Sequence, residues 1–247
     1  MGPNYVGLLV GYAAAVATSW AVFLVFKPAF LRQERVAIAR PWIELGVLAV
    51  GVAGVIGVGQ LYVRHMLLPE EGEFFQSANQ VLIFLPALVV LVLQGSFWRK
   101  NYLPLGAGLA GGLGLGVVLA LIAFMAFIAA TRGIAAWPEM GLQIANFGNI
   151  SIAVQVLLED ILIAALAARL VAATKVWIAI VVAAALFAAA HIPAMLAEGA
   201  GLSQLSTLLL DTGLGVLVIG AIITSRNVWW FWPIHAVMDL TQFLKAG

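Results

Sequence analysis

Residues 104–131 read PLGAGLAGGLGLGVVLALIAFMAFIAAT, a run without one charged side chain. Crossing a bilayer as a helix takes about 20 apolar residues, and in lipid a backbone must satisfy its own hydrogen bonds. A run of this length and composition therefore predicts a membrane-spanning helix. The sequence offers eight such spans, at 5–27, 42–64, 78–98, 104–131, 151–171, 175–197, 203–225 and 229–245. The expected fold is an all-α polytopic membrane protein with about eight transmembrane helices in one bundle. Only 9% of the 247 residues are charged and 64% are hydrophobic, against about 25% charged in soluble domains.

The connections are short except 132–150, which holds Trp137, Pro138 and Asn146 and is read as a candidate re-entrant segment. No soluble domain or repeat stands out. The chain is read as a single transmembrane domain, 1–247, with four N-terminal spans in 1–131 and the chemistry-bearing spans in 151–247. Gly108, Gly112 and Gly116 recur at four-residue spacing and predict a close helix-packing face. The first apolar run lacks a basic leader and is long enough to span, so it reads as a retained helix.

A net charge of +1 without a dense basic cluster excludes a nucleic-acid footprint. The absence of cysteine excludes disulfides, a thiol nucleophile and Cys-ligated metal. Lys27, Arg32, Arg35, Arg40, Arg99, Lys100, Arg169, Lys175 and Arg226 fall at odd-numbered connections, and Arg64, Arg132 and Lys245 at the others. Retention of basic residues in the cytoplasm then puts both termini outside it.

Against this background the ionisable residues inside the spans are conspicuous: Glu159 and Asp160 in the fifth, His191 in the sixth, Asp211 in the seventh, His235 and Asp239 in the eighth. A central acid costs roughly 2.5–3.5 kcal/mol on insertion, so such a cluster is a functional hypothesis by default. Glu159 and Asp160, being adjacent, diverge by about 100°. One is expected to face the reaction and the other to support a neighbouring helix. His235 and Asp239, like Phe187 and His191, share a face at i, i+4. Asp211 reads as a packing or hydrogen-bonding group, and Phe187 alone as core.

Three motifs carry a resemblance: EDILIA at 159–164, FAAAH at 187–191 and HAVMD at 235–239. In order and spacing the sequence resembles the CPBP family of glutamic intramembrane proteases, which includes the CAAX prenyl endopeptidases and the bacteriocin-processing or immunity (Abi) proteins. That family shows Glu-Glu-x-x-x-Arg, Phe-x-x-x-His and His-x-x-x-Asn/Asp on successive helices. The resemblance covers roughly the C-terminal hundred residues. Two departures stand out: the second acid is Asp160, and the arginine position holds Ala164. Asp160 must therefore find another donor or stay protonated, and it is expected to matter less than Glu159.

The resemblance implies a peptide hydrolase with catalytic residues Glu159, Asp160, His191, His235 and Asp239, and with neither cofactor nor metal. Peptide hydrolysis needs a base to activate water and donors for the oxyanion. Glu159 is the candidate base, His191 orients the same water, His235 donates to the oxyanion, and Asp239 fixes its tautomer or donates when protonated. The implied partner is a membrane-associated protein or peptide substrate within the lipid bilayer, and the implied location a prokaryotic cell membrane. No H-E-x-x-H or G-x-S-x-G motif is present. A metal site of Glu159, His191 and His235 is chemically feasible. The same residues would also suit a non-catalytic binding or immunity module, or a proton-coupled transporter.

Overall fold

The computed structural model describes residues 3–26, 37–69, 71–95, 97–192, 195, 201 and 207–242. Every described element is helical: α1 (Pro3–Ala21), running on as a π-helical turn at Val22–Phe26, α2 (Pro41–Val63), α3 (Glu73–Leu93), the short α4 (Phe97–Lys100), α5 (Ala107–Thr131), α6 (Trp137–Ile144), α7 (Ile150–Ala173), α8 (Val176–Ala190), α9 (Thr207–Ser225) and α10 (Trp232–Gln242).

Six of these helices are long and apolar enough to cross a membrane: α1 with its π turn, α2, α3, α5, α7 with the turn before it, and α9. The chain is an integral membrane protein. The spans expected at 175–197 and 229–245 are occupied by the shorter α8 and α10, so eight full crossings are not what the described residues contain. Parts of these two spans and of 203–225 lie outside the described residues, as do Lys27, Arg32, Arg35 and Lys245. The late start of α10 has a local cause. The Asn227 side chain accepts the Trp229 backbone N–H at 2.9 Å and donates to the Gly108 carbonyl at 2.9 Å. This holds residues 227–231 as turns against the start of α5, and Pro233, which needs no N–H partner, then sits in the first helical turn.

The bundle pairs α1 with α5, α2 with α3, α8 with α9, and wedges α7 and α10 between them. The glycine face of α5 makes the last contact possible. A Cβ at Gly116 would lie 2.7 Å from the Trp230 carbonyl oxygen and 2.8 Å from Pro233 Cγ, and one at Gly112 would lie 2.8 Å from Trp229 Cβ. Only a bare α-carbon lets α10 approach so closely. The connection at 132–150 contains α6 between two 3₁₀ turns, Ile134–Ala136 and Phe147–Asn149. Glu73 of α3 then caps α7, accepting the Ser151 N–H at 3.1 Å.

Arg169 departs from its expected place. Rather than flanking a loop, it lies within α7 and is wholly buried. Its guanidinium donates to Gln94 Oε1 (2.9 and 2.6 Å), Asn101 Oδ1 (2.7 Å) and the Ala165 carbonyl (2.9 Å). It also pairs with Glu44 Oε2 at 3.3 Å, while Lys100 holds Glu44 Oε1 at 3.0 Å. The positive charge is retained near the helix end because neighbouring polar side chains solvate it in place of water.

Candidate active site

Glu159 and Asp160 lie on the middle turns of α7, and their divergence sends them to different tasks. Asp160 is fully buried, with Oδ1 2.8 Å from His235 Nδ1. Its other oxygen is buried without a hydrogen-bond partner among the described residues. Ala164, at the position of the family arginine, is itself fully buried, so packing closes the place an arginine would take. The donor Asp160 needs comes instead from α10. Asp160 is thus the direct partner of His235. Glu159 is partly buried, and Gln155, one turn earlier, donates to its Oε1 at 2.9 Å.

His235 is the hub. Its ring stacks on Phe231 (5.2 Å between centroids), meets Phe187 edge-on (6.0 Å) and Tyr12 at a tilt (6.4 Å). Its Nδ1 faces Asp160, and its Nε2 lies 3.8 Å from Asp239 Oδ1. Ligand-type atoms of Glu159, His235 and Asp239 all lie within 4.8 Å of one another. A carboxylate on each side of one imidazole fixes its orientation.

His191 closes α8 from the turn that follows it. Its Nδ1 lies 3.0 Å from the Phe187 carbonyl. A carbonyl oxygen only accepts, so Nδ1 donates, and in the neutral ring Nε2 is the acceptor. Phe187 joins the two histidines: its ring lies 5.1 Å from the His191 ring as well as against His235. A cavity of about 230 Å³ opens beside them, lined by His191, His235 and Asp239 together with Tyr5, Tyr12 and Asp211, with apolar side chains between. Glu159 and Asp160 are not among its lining residues. Asp160 is turned into the α7–α10 interface, and Glu159 reaches the cluster at His235 and Asp239.

Sequence reasoning did not anticipate Tyr5 and Tyr12. They are two turns apart on α1 and so share a face; hydroxyl-bearing rings at that spacing in an apolar span were the available signal. Neither belongs to the motifs.

The fold and this cluster define a class: an integral membrane protein that gathers acids and histidines from three helices beside an internal cavity. Residues 143–241 match the family model described as Type II CAAX prenyl endopeptidase Rce1-like. This segment, which runs from α6 into α10 and includes all five predicted site residues, is the part of the chain that is similar to that family. No curated protein and no solved structure matches the chain.

Proposed function

We propose that the protein is an intramembrane endopeptidase that hydrolyses a peptide bond of a membrane-associated protein or peptide. The observation that carries this reading is the convergence of Glu159, Asp160 and Asp239 on one buried imidazole, His235, inside the protease-family segment. Glu159 takes a proton from water, and His191, with Nε2 open, orients that water. The water oxygen bonds to the substrate carbonyl carbon. The resulting oxyanion accepts a hydrogen bond from the His235 Nε2–H, the ring being held by Asp160 and Asp239. The C–N bond then breaks, and the proton taken up by Glu159 passes to the departing amine. Each part is a known contribution to acyl transfer: base, oriented water and oxyanion donor.

The test is hydrolysis of a transmembrane peptide by purified protein in lipid nanodiscs. Glu159→Gln, close in shape, should lower kcat by at least about a hundredfold, within the range for losing a general base. Hydrolysis by that variant at the native rate would remove the reading.

One observation favours a second reading. The close approach of Glu159, His235 and Asp239 also suits a divalent cation. A metal held there would polarise the substrate carbonyl or the water. The metal-free reading requires hydrolysis to persist in EDTA. Stoichiometric zinc in the purified protein, with activity lost on its removal and regained on its return, would favour the metal reading instead.

A further inference from the structure

The cavity has a second polar pole that the proposed hydrolysis leaves unused. Asp211, on the second turn of α9, accepts a hydrogen bond from the Tyr5 hydroxyl of α1 at 2.9 Å, and both residues line the cavity. The same hydroxyl lies 3.2 Å from the Thr207 carbonyl, so its single proton is divided between two acceptors. Among the described residues Tyr5 is the only side chain that donates to Asp211. A carboxylate that lines a cavity within an apolar span favours a positively charged partner.

The rest of the lining leads the same way. Asp211 and Asp239 contribute two carboxylates, while no lysine or arginine among the described residues faces the cavity. The histidine with the nearest carboxylates, His235, is already bracketed by Asp160 and Asp239. A substrate's C-terminal carboxylate would find no cation at this pole; a lysine or arginine side chain would find an anion. We infer that Asp211, held by Tyr5, is a specificity-determining carboxylate that selects peptides carrying a basic side chain near the scissile bond. This rests on the endopeptidase reading, and Asp211 itself takes no part in bond breaking.

The probe is a set of transmembrane peptides identical except for one residue, Lys, Gln or Glu, scanned through the segment. Full-length protein in nanodiscs is given the set, and cleavage is read by mass spectrometry. The native protein should prefer a Lys peptide to its Glu counterpart by about tenfold or more in kcat/KM at one register, as expected for a charge pair worth one decade. Asp211→Asn keeps an acceptor for Tyr5 and should erase that preference while still cleaving the Gln peptide. Asp211→Lys should favour Glu. If Asp211 only ties α1 to α9, Asp211→Asn leaves the preference unchanged, and the inference fails while the hydrolase reading stands. If no peptide is cleaved, photocrosslinking of the same peptides still decides it. Tighter capture of Lys than Glu peptides, lost in Asp211→Asn, supports the inference; equal capture overturns it.

Discussion

Arg169→Met removes a fully buried, multiply bonded side chain and leaves one of similar length. Four hydrogen bonds vanish. Gln94 Oε1 and Asn101 Oδ1 lose charged donors, and Glu44 keeps Lys100 as its ion-pair partner but loses the guanidinium. A buried acceptor left unsatisfied costs about 1–3 kcal/mol, and breaking a buried pair by removing one partner about 3–5 kcal/mol. Partial relaxation around methionine sets the expected loss at about 3–5 kcal/mol in total. Glu44→Gln retains the shape and part of the bonding and should cost about 1–2 kcal/mol. Because the two share one network, the double variant should lose less than the sum. Reversible unfolding in mixed micelles, followed by tryptophan fluorescence, reads these values. Arg169 is ten residues from Glu159, about 15 Å along the helix, so activity per folded molecule should persist. A stability change within about 0.5 kcal/mol, the range of an inert surface substitution, would refute the argument.

Three further outcomes are expected. Asp160→Asn keeps an oxygen 2.8 Å from His235 Nδ1 but removes its charge, so kcat on a transmembrane peptide should fall about 10- to 100-fold, the equivalent of about 1.4–2.7 kcal/mol; native kcat would mean Asp160 does not support His235. Gly116→Ala presses a methyl against the Trp230 carbonyl and Pro233 and should cost about 1–3 kcal/mol with reduced kcat/KM. Gly114→Ala, facing open space, should be neutral or stabilising by up to about 1 kcal/mol, and equal effects of the two would contradict the packing account. In this cysteine-free chain, Glu71→Cys should react with a membrane-impermeant thiol reagent in intact cells while Ala39→Cys is protected. The reverse pattern would turn the termini toward the cytoplasm.

The long spans were legible because length and hydropathy alone decide them: Ala107–Thr131 lies within the charge-free run that predicted it. The spacings of FAAAH and HAVMD were equally legible, since i, i+4 on a helix fixes a shared face before any packing is known. What packing decides was not. Nothing near Arg169 in sequence announces Glu44, Gln94 and Asn101, which come from the distant α2 and the α3–α4 segment, so a basic residue near a helix end read as a flank. The short α10 depends on Asn227 reaching back to Gly108, a contact between residues 119 apart. The partner of Asp160 likewise required knowing that α7 and α10 touch. Tyr5 and Tyr12 come to the cavity only because α1 packs against α10 and α9.

The central claim is that Glu159, beside a histidine held by two further acids, drives peptide-bond hydrolysis in the membrane. Its most direct test maps new protein termini in membranes of cells expressing the native chain, Glu159→Gln or His235→Ala, at matched levels of folded protein. The account predicts a defined set of cleaved membrane-associated proteins with the native chain, absent with both variants. Identical termini in all three, or cleavage that survives Glu159→Gln, would contradict it.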